Sequence, residues 1–277
     1  MSTAKIARNQ VATFLLLAFA GAWAVTIPLW GSGFQRTSTT QVDGPWVQVI
    51  IAAMMATPAL AALAVTRSVR AVGLVWPRGQ WRHCLTGFGV PTAILLLSLG
   101  LSSALGVFPV DLGHVQVGGI LLSYLVSLPL FLGEELGWQG FLLPRLLPLG
   151  AWPALLAGGV VWGLWHAPVT VLGAQYPGHP PLVGLVCVLV STVLIGVLIG
   201  FLRLVTGSVW PTVLAHAVVS QLAPDLIKAV SAGGRAVDPL LVGPASVVSW
   251  LLAAGLILVL RKRVGESGHP ARPALEH

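Results

Sequence analysis

Apolar residues in this chain fall in long unbroken runs separated by short polar stretches, and they do not alternate with polar ones. Eight runs stand out: Val11–Trp30, Val47–Val65, Leu85–Val107, Val115–Leu142, Pro153–Leu172, Leu182–Leu202, Val209–Leu222 and Gly243–Leu260. A helix needs about 20 predominantly apolar residues to cross the hydrocarbon core of a bilayer. Continuous runs of that length predict helices, whereas the strands of a membrane barrel would alternate. The pattern therefore predicts an all-α polytopic membrane protein with about eight transmembrane helices. Val209–Leu222 is short for a crossing, so it must extend at an end or be held away from lipid by its neighbours.

Composition agrees with this reading. Of 277 residues, 56% are hydrophobic and 8% charged, with a mean hydropathy of +0.90. Soluble domains carry roughly 25% charged residues, so this chain cannot coat a water-facing surface. A soluble enzyme, a disordered chain and a nucleic-acid binder are excluded. The net charge of +7 reports topology instead. With residues 1–10 cytoplasmic, one side holds Lys5, Arg8, Arg67, Arg70, Arg78, Arg82, Arg145, Arg203, Arg261, Lys262, Arg263 and Arg272. The other holds only Arg36, Lys228 and Arg235. This is the asymmetry of the positive-inside rule, and it predicts a multi-pass protein of the inner (plasma) membrane with both termini cytoplasmic. Three spans occupy 11–114, a second group fills 115–222, a loop and the last span occupy 223–264, and 265–277 reads as a disordered cytoplasmic tail. The partners expected are the bilayer and a membrane-associated peptide or protein, with no nucleic acid. Cys84 and Cys187 have no ligand or disulfide spacing and read as small buried hydrophobes.

The informative residues are ionisable groups at membrane depth. Glu134 and Glu135 are adjacent in one run, His166 lies in the next, and His216 lies in the short one. A charged side chain at mid-bilayer costs at least ~2.5 kcal/mol, so such groups face a bundle interior and mark a site. At helical pitch Glu134 and Glu135 point about 100° apart and take different jobs. Glu135 and Gln139 share a face at i+4, a spacing suited to a hydrogen bond; so do Trp162 with His166, and His216 with Ser220. A carboxylate base on one helix and paired donors on another are the parts of water-driven acyl transfer.

In order along the chain these residues read Glu134-Glu135-Leu-Gly-Trp-Gln139, Trp162-Gly-Leu-Trp-His166 and His216-Ala-Val-Val-Ser220. They resemble the EExxxR, aromatic-xxx-His and HxxxN motifs of the CPBP family of intramembrane proteases (CaaX prenyl proteases and bacteriocin-processing enzymes, also called the abortive-infection family). The likeness covers about Val115–Leu222 and implies a four-helix catalytic core at 115–222. It implies an endopeptidase in which Glu134 activates water and His166 helps to hold it. His216 and Ser220 would stabilise the oxyanion, Glu135 would orient the site, and Gln139 and Trp162 would support it. No cofactor is required in that mechanism; the alternative is a Zn2+ enzyme with Glu134, His166 and His216 as ligands. Gln139 stands where the family has arginine and Ser220 where it has asparagine, and both changes favour a second expectation, an inactive binding or immunity protein. A proton-coupled transporter built on the buried carboxylates is a third, weakened by the lack of inverted repeats or paired broken helices.

Overall fold

The computed structural model describes residues 3–74, 79, 81–113 and 115–266. His114 and most of the tail expected at 265–277 fall outside them; Gly265 and Glu266 still belong to the last helix. The chain is all-α and polytopic. Its main helices are α1 (Thr3–Gly31), α2 (Pro45–Thr66), α3 (Trp81–Ala104), α4 (Val117–Glu135), α5 (Ala151–Trp165), α6 (Pro181–Thr206), α7 (Trp210–Ala217), α8 (Ala223–Val230) and α9 (Val247–Glu266). Among the described residues six helical stretches are long and apolar enough to span a bilayer, and two shorter apolar ones, at α5 and within α9, complete the eight runs.

The burial pattern is that of a protein dissolved in lipid. Leu16, Ile27, Leu122, Val126 and Leu251 are each more than 60% exposed, while Glu134, Glu135 and His216 are at most 2% exposed. Without water outside, apolar side chains lose nothing by facing outward, and polar ones must find partners within the bundle.

Chain chemistry sets the helix ends. Pro45, Pro181, Pro211 and Pro224 sit in first turns, where the missing N–H costs nothing. Gly207 ends α6 in the left-handed conformation, with its N–H on Arg203 O. The short run at Val209–Leu222 extends, through α8, into a helical stretch ending at Val230. The run at Pro153–Leu172 is interrupted instead: α5 stops at Trp165, His166 forms the junction, and one more turn, Ala167–Thr170, follows. Pro168, near the start of that turn, has no N–H for a continuous ladder.

The helices pack α1 on α2, α2 on α4, α3 on α7, α4 on α7, and α5 closely on α6, with α9 against α6 and α3. The loops after the first, third, fifth and seventh runs meet at one end of the bundle. Arg36 donates its backbone N–H to Leu172 O and Nη1 to Ala174 O, and pairs with Asp43. Thr39 and Val237 exchange two hydrogen bonds, His179 Nε2 lies 2.9 Å from Asp238 Oδ1, and Val110 bridges Ser231. The three basic residues assigned to the poorer side, Arg36, Lys228 and Arg235, lie on or beside these loops.

Candidate active site

Two segments of the core are not α-helical. Directly after Glu134–Glu135 the chain runs as a π-helix over Leu136–Leu142, and after α7 it does so again over Val218–Leu222. In each the closing N–H reaches five residues back, Leu143 to Trp138 O and Ala223 to Val218 O. Such segments are rare and cluster at functional sites. The first is held by close approach: a Cβ on Gly137 would lie 2.8 Å from the backbone of Pro58, and one on Gly140 would lie 2.1 Å from Val72 O. Arg203 of α6, 4% exposed, donates Nε to the carbonyl of Gln139 within this segment at 3.2 Å. A wide turn leaves backbone carbonyls poorly satisfied, and this guanidinium partners one of them.

The ionisable residues meet around Trp162. Its indole N–H donates to Glu134 Oε2 at 2.9 Å, and its carbonyl accepts the Nδ1–H of His166 at 2.8 Å. Its ring lies edge-on to both imidazoles, with centroids 5.5 Å from His166 and 4.9 Å from His216. His216 donates Nδ1–H to Glu135 Oε1 at 2.9 Å and packs on Phe131 at 4.7 Å. Both histidines thus have Nδ1 engaged, which leaves Nε2 of each for a ligand or reactant. Trp138 and Trp165 complete the aromatic wall, their rings 5.6 Å apart and Trp165 4.9 Å from His166.

Glu134, Glu135, Trp162, His166 and His216, from three separate runs, are therefore brought together, while two expected pairings are not formed. Glu135 and Gln139 do not hydrogen-bond: Glu135 Oε2 and Gln139 Oε1 both lack a partner among the described residues. Ser220 lies exposed on the second π segment, apart from the buried His216. The physical reason is shared. With i→i+5 bonding, residues four apart are turned from their α-helical alignment, so the direct i+4 contact is lost where each π turn intervenes. Gln221 is committed elsewhere, donating to Ser123 Oγ and Asp225 Oδ2, each at 2.9 Å. Sequence reasoning also missed the wall residues Phe131 and Trp138, and it took Arg203 for a boundary charge. Its position in the apolar string Phe-Leu-Arg-Leu-Val was the available signal.

Zinc needs three converging protein donors and an open fourth position. Among the described residues no three His, Cys, Asp or Glu side chains form such a group. No step is routed through a zinc ion.

Trp162→Phe keeps the aromatic surface and deletes the donor to Glu134. A hydrogen bond to a charged partner is worth a few kcal/mol at most, so kcat is expected to fall about 10- to 100-fold with the fold retained. Single-turnover cleavage beside a melting curve separates that outcome from simple destabilisation.

Residues 116–222 match the family described as type II CAAX prenyl endopeptidase Rce1-like. No curated protein matches the chain. The match covers less than half of the chain, which is similar over those residues to a family of CAAX prenyl endopeptidases and carries six helices long and apolar enough to span a membrane among the described residues.

Proposed function

We propose that this chain, whose residues 116–222 match the Rce1-like family, hydrolyses a peptide bond of a membrane-associated tail with water activated by Glu134. The observation that carries the reading is the Trp162-centred cluster. A buried carboxylate with one oxygen fixed by an indole N–H faces two imidazoles whose Nε2 atoms are uncommitted. Glu134 takes a proton from water held by His166 as the water oxygen attacks the scissile carbonyl carbon. The oxyanion is met by Nε2–H of His216 in its imidazolium form, with Glu135 as counter-charge. Glu134 then returns its proton to the leaving nitrogen as the C–N bond breaks, and the carboxylate is regenerated. Backbone amides inside a helix are already bonded, so the substrate enters as a flexible end or an unwound segment.

In this reading the reaction takes place at the cytoplasmic side of a plasma membrane. The end of the bundle away from the meeting loops carries Arg67, Arg70 and Arg145, which the positive-inside rule assigns inward. The expected metal independence is tested together with the activity. Purified protein in proteoliposomes is incubated with tail peptides in 18O-labelled water, with and without a chelator, and products are read by mass spectrometry. One labelled oxygen in the new carboxyl terminus, unaffected by chelator, is the expected result. Loss of cleavage on chelation, restored by Zn2+, would overturn the metal-free mechanism. No cleavage of any tail would remove the protease reading.

Two observations favour a second reading, a catalytically silent binding protein: Gln139 is uncharged, and Ser220 lies outside the buried cluster. That reading expects peptide binding without turnover and the same binding in Glu134→Gln. Labelled product from the wild type decides against it.

A further inference from the structure

Behind the Glu135–His216 pair lies a small cavity between the first π segment, α5 and α6. Glu135, Gln139 and Trp162 line it together with Leu155, Gly158 and Gly200. We infer that it is a binding site for one water molecule, which donates one hydrogen bond to Glu135 Oε2 and the other to Gln139 Oε1.

Three observations converge on this. Both oxygens are buried and lack a protein partner among the described residues, although a buried acceptor left unpaired loses the hydrogen bonds it had in water. Both residues border the same cavity, which has room for a water molecule. Both atoms are acceptors, so the occupant has to supply two donors; Leu143, Ala154, Leu155 and Ile199 offer none, and the indole N–H of Trp138, which also borders the cavity, makes no hydrogen bond to either oxygen among the described residues. Gln139 Oε1 is directed to the α6 side: a Cβ on Gly200 would lie 3.5 Å from it. Water is the smallest group that meets all three conditions.

The site has a consequence for the reaction. Glu135 Oε1 accepts Nδ1–H of His216, and the water holds Oε2, so the carboxylate is pinned at both oxygens and the imidazole is aimed by it. Gln139 is then a positioning residue that acts through the water and Glu135. This role rests on the protease reading, while occupancy of the cavity does not.

The test has two arms. A structure of the full chain in nanodiscs, at a resolution that shows ordered water, is expected to place density within hydrogen-bond distance of both oxygens. An empty cavity, or a Gln139 amide turned so that Nε2 donates directly to Glu135 Oε2, overturns the water site. In the kinetic arm, Gln139→Leu removes an acceptor, and kcat is expected to fall about tenfold with KM nearly unchanged. Gln139→Arg reaches the cavity with a guanidinium that donates to Glu135 directly, and is expected to restore kcat to within about threefold of wild type. Equal losses in the two variants overturn the positioning role. If the wild type itself cleaves nothing, the protease reading has failed, and the density alone decides the water site.

Discussion

Glu134→Gln is expected to reduce tail cleavage by about 10³-fold while the protein remains folded in the membrane. The argument is one of near-isosteric replacement. The amide oxygen of glutamine can still accept the Trp162 N–H that now reaches Glu134 Oε2 at 2.9 Å. Packing against Trp162 and the neighbouring rings is therefore preserved, and the change removes only the capacity to take a proton. General-base assistance contributes about 10²–10⁴ in rate, which sets the size of the loss. Glu135→Gln makes the informative comparison. Its carboxylate accepts from His216 and does not receive the Trp162 donor. Single-turnover cleavage by both variants in the same proteoliposomes checks the division of labour. Wild-type-like turnover by Glu134→Gln would remove Glu134 as the base.

That division could be anticipated only in part from the chain itself. Charged side chains are so costly in hydrocarbon that Glu134, Glu135, His166 and His216 stood out against their apolar runs, and the structure does gather them. The eight runs were legible for a similar reason, since span length follows from bilayer thickness. The path of the helix between motif residues was hidden. A π segment is decided by what packs against it, and nothing local in Leu136–Leu142 announces that Gly137 meets Pro58 or that Gly140 meets Val72. The exposed position of Ser220 was hidden for that reason, its spacing from His216 having been read at α-helical pitch. Arg203 was hidden differently: an arginine near a span end reads as an interfacial anchor until a neighbouring helix is seen to cover it.

Gly140→Val is expected to lower the melting temperature by several degrees and to abolish most activity with the catalytic residues untouched. A Cβ at position 140 would fall 2.1 Å from Val72 O and 2.9 Å from its carbonyl carbon, and backbone atoms cannot swing aside as a flexible side chain can. Either the first π segment lifts off the Arg70–Val72 turn or that turn is displaced, and overpacking of this kind costs about 1–3 kcal/mol or more. The damage reaches the chemistry because the same segment carries Gln139, whose carbonyl Arg203 holds, and begins one residue after Glu135. A segment moved by even about 1 Å leaves the carboxylates misaligned with His216, and misplacement on that scale is enough for about 10²-fold in rate. Gly100→Ala in α3 serves as the control, because a Cβ there meets nothing within 4 Å and alanine favours the helix. Heating detergent-solubilised variants and reading the surviving folded fraction by size-exclusion chromatography, alongside cleavage, tests both halves. A Gly140→Val protein as stable and active as Gly100→Ala would show that the π segment is not held by this contact.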